Sequence, residues 1–182
     1  DYDLVIIDTP PSINALTRTA WVASDRVILV TEPALYSVIA ADRARKAIQE
    51  ISAKLSPRLQ LLGVVVNRFR PQSHEHDYRI KELKELFGEQ ILMPYFEERA
   101  AVQQATGAAR PIHSWPAEGA AEIARGFDWL LAGAISELEQ AAGNREKVGA
   151  VGRSIRGTGI DEIIEVQEIK PKKKHWWSRK SS

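Results

Sequence analysis

The feature that most limits this chain is a set of short apolar runs that do not alternate with polar residues. Leu4-Val5-Ile6-Ile7 is followed by Val27-Ile28-Leu29-Val30-Thr31, then by residues 61–67 (LLGVVVN), then by Ile91-Leu92-Met93. Most are rich in β-branched residues, and each ends at a polar residue or a proline: Thr9-Pro10-Pro11, Glu32-Pro33, Asn67 or Pro94. A strand with one wet face alternates apolar and polar positions. A continuous run reads instead as a strand covered on both faces, as in the centre of a parallel sheet. Helical spacing fills the intervals: residues 13–23, then Val38, Ala41, Ala44, Ile48 and Ile51 behind Ser37 as N-cap, then 78–87 ending at Gly88, 98–106 and 117–139. Strands alternating with helices predict an α/β fold, a parallel sheet with helices on both faces, three layers deep, with right-handed crossovers. The first run begins just behind Asp1, and a strand buried on both sides needs neighbours on both sides. The sheet is therefore expected to be incomplete at the N-terminus, with further sequence upstream.

Three regions follow from the patterning. Residues 1–140 read as the ordered domain. Residues 141–169 read as a linker ending in a short acidic-apolar segment, IDEIIEVQEI. Residues 170–182 read as a disordered basic tail. That tail holds six of the 25 basic residues, Lys170, Lys172, Lys173, Lys174, Arg179 and Lys180, and none of the 24 acidic ones. Trp176 and Trp177 sit among them. Indoles set in positive charge can stack on bases or lodge at a bilayer interface; the bland alternative is a solubilising tail. Cys is absent, which excludes disulfides, thiolate metal sites and cysteine nucleophiles. No apolar run is long enough to span a membrane and no signal peptide is visible, so a cytoplasmic location is expected.

The sharpest motif is Leu4 through Ser12, LVIIDTPPS. Ligands of open parallel sheets sit beyond the carboxyl ends of the strands. A carboxylate there, Asp8, suits holding Mg²⁺, usually through water, beside the phosphates of a nucleotide. Pro10 and Pro11 stiffen the following turn. The competing reading is an Asp that caps the next helix. Asn67 ends the third run, and its amide offers both a donor and an acceptor; it could equally bond a nearby turn. Arg68 and Arg70 could be solvated strand-end charges.

DYDLVIIDTPPS resembles the switch II segment of the ParA/MinD family, the deviant-Walker P-loop ATPases. The likeness continues for about 130 residues. Ala23-Ser24-Asp25-Arg26-Val27 resembles the family's A-D-x-V, Leu62 to Arg68 its G-V-V-x-N-R strand, and Gly107 to Ile112 its G-K-P-I, with Arg110 in place of the lysine. The resemblance implies that Asp8 is the switch carboxylate near Mg²⁺ and that Pro10, Pro11 and Ser12 form the switch facing a second subunit. It also implies that Asn67 reads the adenine edge with Arg68 beside the base. A second adenine-contacting loop usually begins Ile-Pro. Two alignments compete for it: Met93-Pro94 fits directly, whereas Phe96-Glu97-Glu98-Arg99 fits the downstream spacing and puts Glu97 in the proline's place.

No GxxxxGK[ST] phosphate loop occurs in the 182 residues, so this stretch alone is expected not to hydrolyse ATP. Relatives that carry iron–sulfur clusters need cysteines, and the tyrosine kinases of this superfamily end in a Tyr-rich tail, whereas the last tyrosine here is Tyr95. Two options remain, DNA partition (ParA-like) and membrane cycling (MinD-like); the resemblance, taken in its first form, implies an ATPase that uses ATP and Mg²⁺, dimerises on ATP, binds DNA non-specifically and is stimulated by a ParB-type partner. Arg70, Arg79, Lys81 and Lys84 are candidate DNA contacts, which would place the protein on the nucleoid. Alternatives are a MinD-like positioning ATPase with peripheral membrane contact through Lys172, Lys173, Lys174, Trp176, Trp177, Arg179 and Lys180, or a non-catalytic scaffold.

Overall fold

The computed structural model describes residues 4–155, with side chains described through residue 143. The rest of the expected linker, the acidic-apolar segment at residues 160–169 and the basic tail lie outside the described residues.

Among the described residues, five α-helices and three strands run in the order α1 (Ala15–Ala23), β1 (Arg26–Thr31), α2 (Leu35–Lys54), β2 (Gln60–Val66), α3 (His74–Phe87), β3 (Ile91–Leu92), α4 (Ala100–Gly107) and α5 (Ala120–Ile155). The strands form one sheet in the order β1-β2-β3, and both pairings are parallel. Leu29 lies opposite Val64 and Val30 opposite Val65, with an irregularity between Val27 and Ile28. Each crossover passes through a helix, as parallel strands require.

α2 is central to the core. Its Val38 and Ala41 meet Val64 and Val66 of β2, Ile80, Leu83 and Phe87 of α3, and Ile91 of β3. Further along, its Ala44, Ala47, Ile48 and Ile51 meet Trp21 of α1, Val27 of β1 and Leu59. Successive strand residues face opposite sides. Val65 therefore points away from Val64 and Val66, and it too is buried, so β2 is covered on both faces. That is why its sequence runs apolar without alternation. Gly63 lets β3 come close: a Cβ there would lie 2.5 Å from Leu92, which is itself fully buried.

Helix ends follow local chemistry. Asn14 caps α1 by accepting from Thr17 N at 3.0 Å, and Ser73 caps α3 by accepting from His76 N. α1 stops at Ser24, whose hydroxyl donates to the Ala20 carbonyl at 2.7 Å.

Four expectations need correction. Residues 4–8 carry no strand, and Val5, Ile6 and Ile7 are exposed by 70, 78 and 48%. Apolarity cannot make a strand without a ladder partner, and no described strand lies alongside this segment. Among the described residues the sheet accordingly has three strands rather than four. α2 starts at Leu35 behind Ala34, so Ser37 is not its cap; the Ser37 carbonyl instead accepts from Thr31 Oγ1 at 3.2 Å. α3 starts at His74, four residues before the apolar spacing shows it, because its first turn is polar and is set by Ser73. α5 runs through residues 141–155, where a linker was expected. That stretch mixes Ala, Glu, Lys and Arg, which favour helix, with Gly143, Gly149 and Gly152, which disfavour it, and it traces no apolar stripe that would have marked it.

Candidate functional site at the carboxyl ends of the strands

Three connections leave the carboxyl ends of the strands side by side. Behind β1 come Glu32 and Pro33. Behind β2 come Asn67, Arg68, Phe69 and Arg70. Behind β3 comes the segment from Met93 to Arg99, which includes a cis Met93–Pro94 bond. The ladder continues past the strand ends. Asn67 N donates to Thr31 O at 2.8 Å, Phe96 N to Val66 O at 2.8 Å, Phe69 N to Phe96 O at 2.9 Å and Glu98 N to Phe69 O at 2.9 Å. Residues 96–98 thus extend the sheet beside residues 66–69, with Phe69 bridged to Glu97.

This backbone carries an ion-pair array. Arg68 donates to Glu32 at 3.1 Å and to Glu98 at 2.9 Å, and Arg70 donates to the other oxygen of Glu98. Arg68 takes a left-handed backbone, φ 55°, which is uncommon for a residue with a Cβ. Hydrogen bonds from Arg70 first, then Arg68, hold the Glu98 carboxyl down to about 2. The same bonds raise both guanidiniums above their ordinary value. Glu98 and Glu32 were missed as site residues from the sequence. No signal along the chain marks them: Glu32 follows β1 directly, but Glu98 stands well past Leu92, the end of β3.

Asn67 is half-buried, and its carboxamide makes no hydrogen bond among the described residues, although its main chain is tied to Thr31. It does not serve a turn. Asp8 is exposed and carries no hydrogen bond or ion pair among the described residues. Because Asn14 caps α1, capping is not the role of Asp8. Pro10, Pro11 and Ser12 are exposed; the Ser12 hydroxyl accepts from Asn14 Nδ2 at 3.0 Å, and its carbonyl accepts from Thr17 Oγ1 at 2.7 Å. No hydrogen bond or ion pair among the described residues joins Asp8 to Asn67 or to the array.

Pro94 and Glu97 both line a small cavity of about 40 Å³ with Phe96, Arg99 and Glu122. It is roomy enough for water but not for a purine. The four basic DNA candidates divide. Arg70 is bound by Glu98. Arg79 is bound by Glu75 at 2.6 Å and Glu82 at 2.8 Å. Lys81 and Lys84 are exposed on α3, with Lys84 Nζ 6.0 Å from the Tyr95 ring centroid. No described helix is long and apolar enough to cross a membrane.

A single carboxylate behind an apolar run, such as Asp8, is the usual protein contribution to a Mg²⁺ that keeps several waters and substrate phosphates. Among the described residues no cluster of three metal-ligating side chains occurs.

A family model described as an AAA domain matches residues 1–61. Among curated proteins, the chain is 25% identical over 111 residues to the chromosome partitioning protein ParA of Caulobacter vibrioides, covering 61% of this chain and 42% of that one. It is 27% identical over 111 residues to the chromosome-partitioning ATPase Soj of Thermus thermophilus, covering 61% and 45%. An uncharacterized protein of Methanocaldococcus jannaschii is 28% identical over 125 residues, covering 68% and 48%. The chain thus spans less than half the length of these curated relatives. The solved structure of apo McdA from Cyanthece matches 57% of this chain and 45% of its own at 22% identity and a TM-score of 0.41, too loose a likeness to assign a fold.

Proposed function

We propose that the chain is part of a ParA-like P-loop ATPase, and that the intact protein binds ATP with Mg²⁺ at the carboxyl ends of its parallel sheet and works in DNA partition. The observation that carries this reading is the pairing of an exposed Asp8, ahead of Thr9-Pro10-Pro11-Ser12, with an unengaged Asn67 carboxamide at the end of β2.

Asp8 is proposed to hold the metal through water. Mg²⁺, when bound, would neutralise charge on the phosphates; the phosphate loop itself would come from another part of the protein. Pro10, Pro11 and Ser12 would report the nucleotide state to a second subunit, since a doubly prolyl turn has little conformational freedom and moves as a unit. Asn67 would read adenine, donating to one ring position and accepting from the exocyclic amine. The ladder from Val66 to Glu98 favours the alignment that puts Glu97, rather than Pro94, in the second base-contacting loop. Arg68 would lie beside the base.

As a partition ATPase the protein would dimerise on ATP, bind DNA without sequence preference and respond to a ParB-type partner. Lys81 and Lys84 are the better DNA candidates, because Arg70 and Arg79 are already neutralised by acids. The test is phosphate release by the full-length protein with DNA and Mg²⁺. Asp8→Ala should lower the rate by about two orders of magnitude or more. A full-length protein that binds no ATP, or an Asp8→Ala variant with an unchanged rate, would overturn the proposal.

A further inference from the structure

Arg68 stands out because three independent features converge on it. Its backbone is left-handed at φ 55°. Its guanidinium reaches two carboxylates from two different connections, Glu32 behind β1 and Glu98 beyond β3. Its neighbours on both sides are fixed by main-chain bonds, Asn67 N to Thr31 O and Phe69 N to Phe96 O. A single exposed ion pair contributes little. Here Glu98 is shared by two guanidiniums, and only 21% of its side chain is exposed. The planar fork of arginine is suited to span two acceptors at once, which a lysine ammonium on one stem does less well.

We infer that Arg68 is a positioning residue: by bonding Glu32 and Glu98 together, with Arg70 bracing Glu98, it locks the three strand ends into one unit around Asn67. The main-chain ladder already joins residues 66–69 to residues 96–98, and the array adds a side-chain tie to that ladder and carries it across to Glu32 behind β1. Held this way, the Asn67 carboxamide keeps a fixed direction, and the 96–98 segment stays laddered beside it. The functional consequence rests on the nucleotide reading above; the mechanical coupling does not.

Hydrogen exchange and steady-state kinetics on the full-length protein separate the two. In Glu98→Gln and in Arg68→Lys, the amides of Phe69, Phe96 and Glu98 should exchange about five- to tenfold faster, while amides within α2 stay as they were. KM for ATP should rise about as much, with kcat nearly unchanged, since ground and transition states lose the same contact. Unchanged exchange in both variants would overturn the inference. Faster exchange with an unchanged KM, in a protein that hydrolyses ATP, would overturn the positioning role. Faster exchange in a protein that binds no ATP would sink the nucleotide reading and support the coupling of the strand ends.

Discussion

Glu98 shows how a single side chain carries both the electrostatics and the pH response of the rim. Its carboxyl is held near 2 by Arg70 and Arg68, against an ordinary value of 4.5. A group depressed in this way stabilises the folded state fully above its unfolded-state value, and that contribution fades as pH falls from there toward 2. Urea midpoints should therefore drop between about pH 4.5 and 2 in the parent protein. Glu98→Gln should flatten part of that drop and leave the remainder to other depressed acids such as Asp42, held low by Lys46 and Arg45. A parent and variant with superimposable profiles would contradict this assignment. At this scale the sequence was only half legible. Asn67 and Arg68 could be marked because they end an apolar run. Glu32 and Glu98 could not, since nothing along the chain says that residues 36 and 30 positions away from Arg68 will meet it.

Among the elements, legibility tracked burial. β2 was readable because a strand covered on both faces leaves a continuous apolar record, and α2 because six of its residues are buried at helical spacing; β1 carries the same record, yet only its Val27 and Thr31 are buried and Val30 is 66% exposed. α3 was read late, since its first turn, His74-Glu75-His76-Asp77, is polar and depends on the Ser73 cap. Residues 4–8 failed in the opposite direction: the composition is that of a strand, yet the ladder that would make it one is not among the described residues. The tightest element-level test lies at the β2–β3 contact. Gly63→Ala should destabilise the protein by about 1–3 kcal/mol in urea titration, because a new methyl would press into Leu92, which has no room to retreat. On α3, Leu83→Ala removes a side chain with no exposed surface and should cost about 2–5 kcal/mol. If both variants unfold at the parent midpoint, the packing described for the sheet and α3 is wrong.

For the whole molecule, the proposed role in DNA partition makes the charge distribution the guide to which surface would meet DNA. Acids on α3 and behind the strands already engage Arg68, Arg70 and Arg79, leaving Lys81 and Lys84 as exposed cations between residues 68 and 84. Replacing both by Ala should weaken DNA binding by the ATP-bound protein at every sequence alike, and should lower the slope of log affinity against log salt by about 2. An unchanged slope would move the DNA surface elsewhere, and loss of the slope on deleting residues 170–182 would assign it to the basic tail.

Nucleotide choice at Asn67 tests the central claim most directly. Calorimetric titration of the full-length protein with Mg²⁺-ATP and Mg²⁺-GTP should show a clear preference for ATP. Asn67→Asp replaces a donor-and-acceptor amide with two acceptors, which suit the N–H groups of guanine instead. The variant should therefore lose at least about tenfold of that preference, or 1.4 kcal/mol. An ATP-to-GTP ratio identical in the two proteins would contradict a base-reading role for Asn67 and, with it, a nucleotide site at the carboxyl ends of these strands.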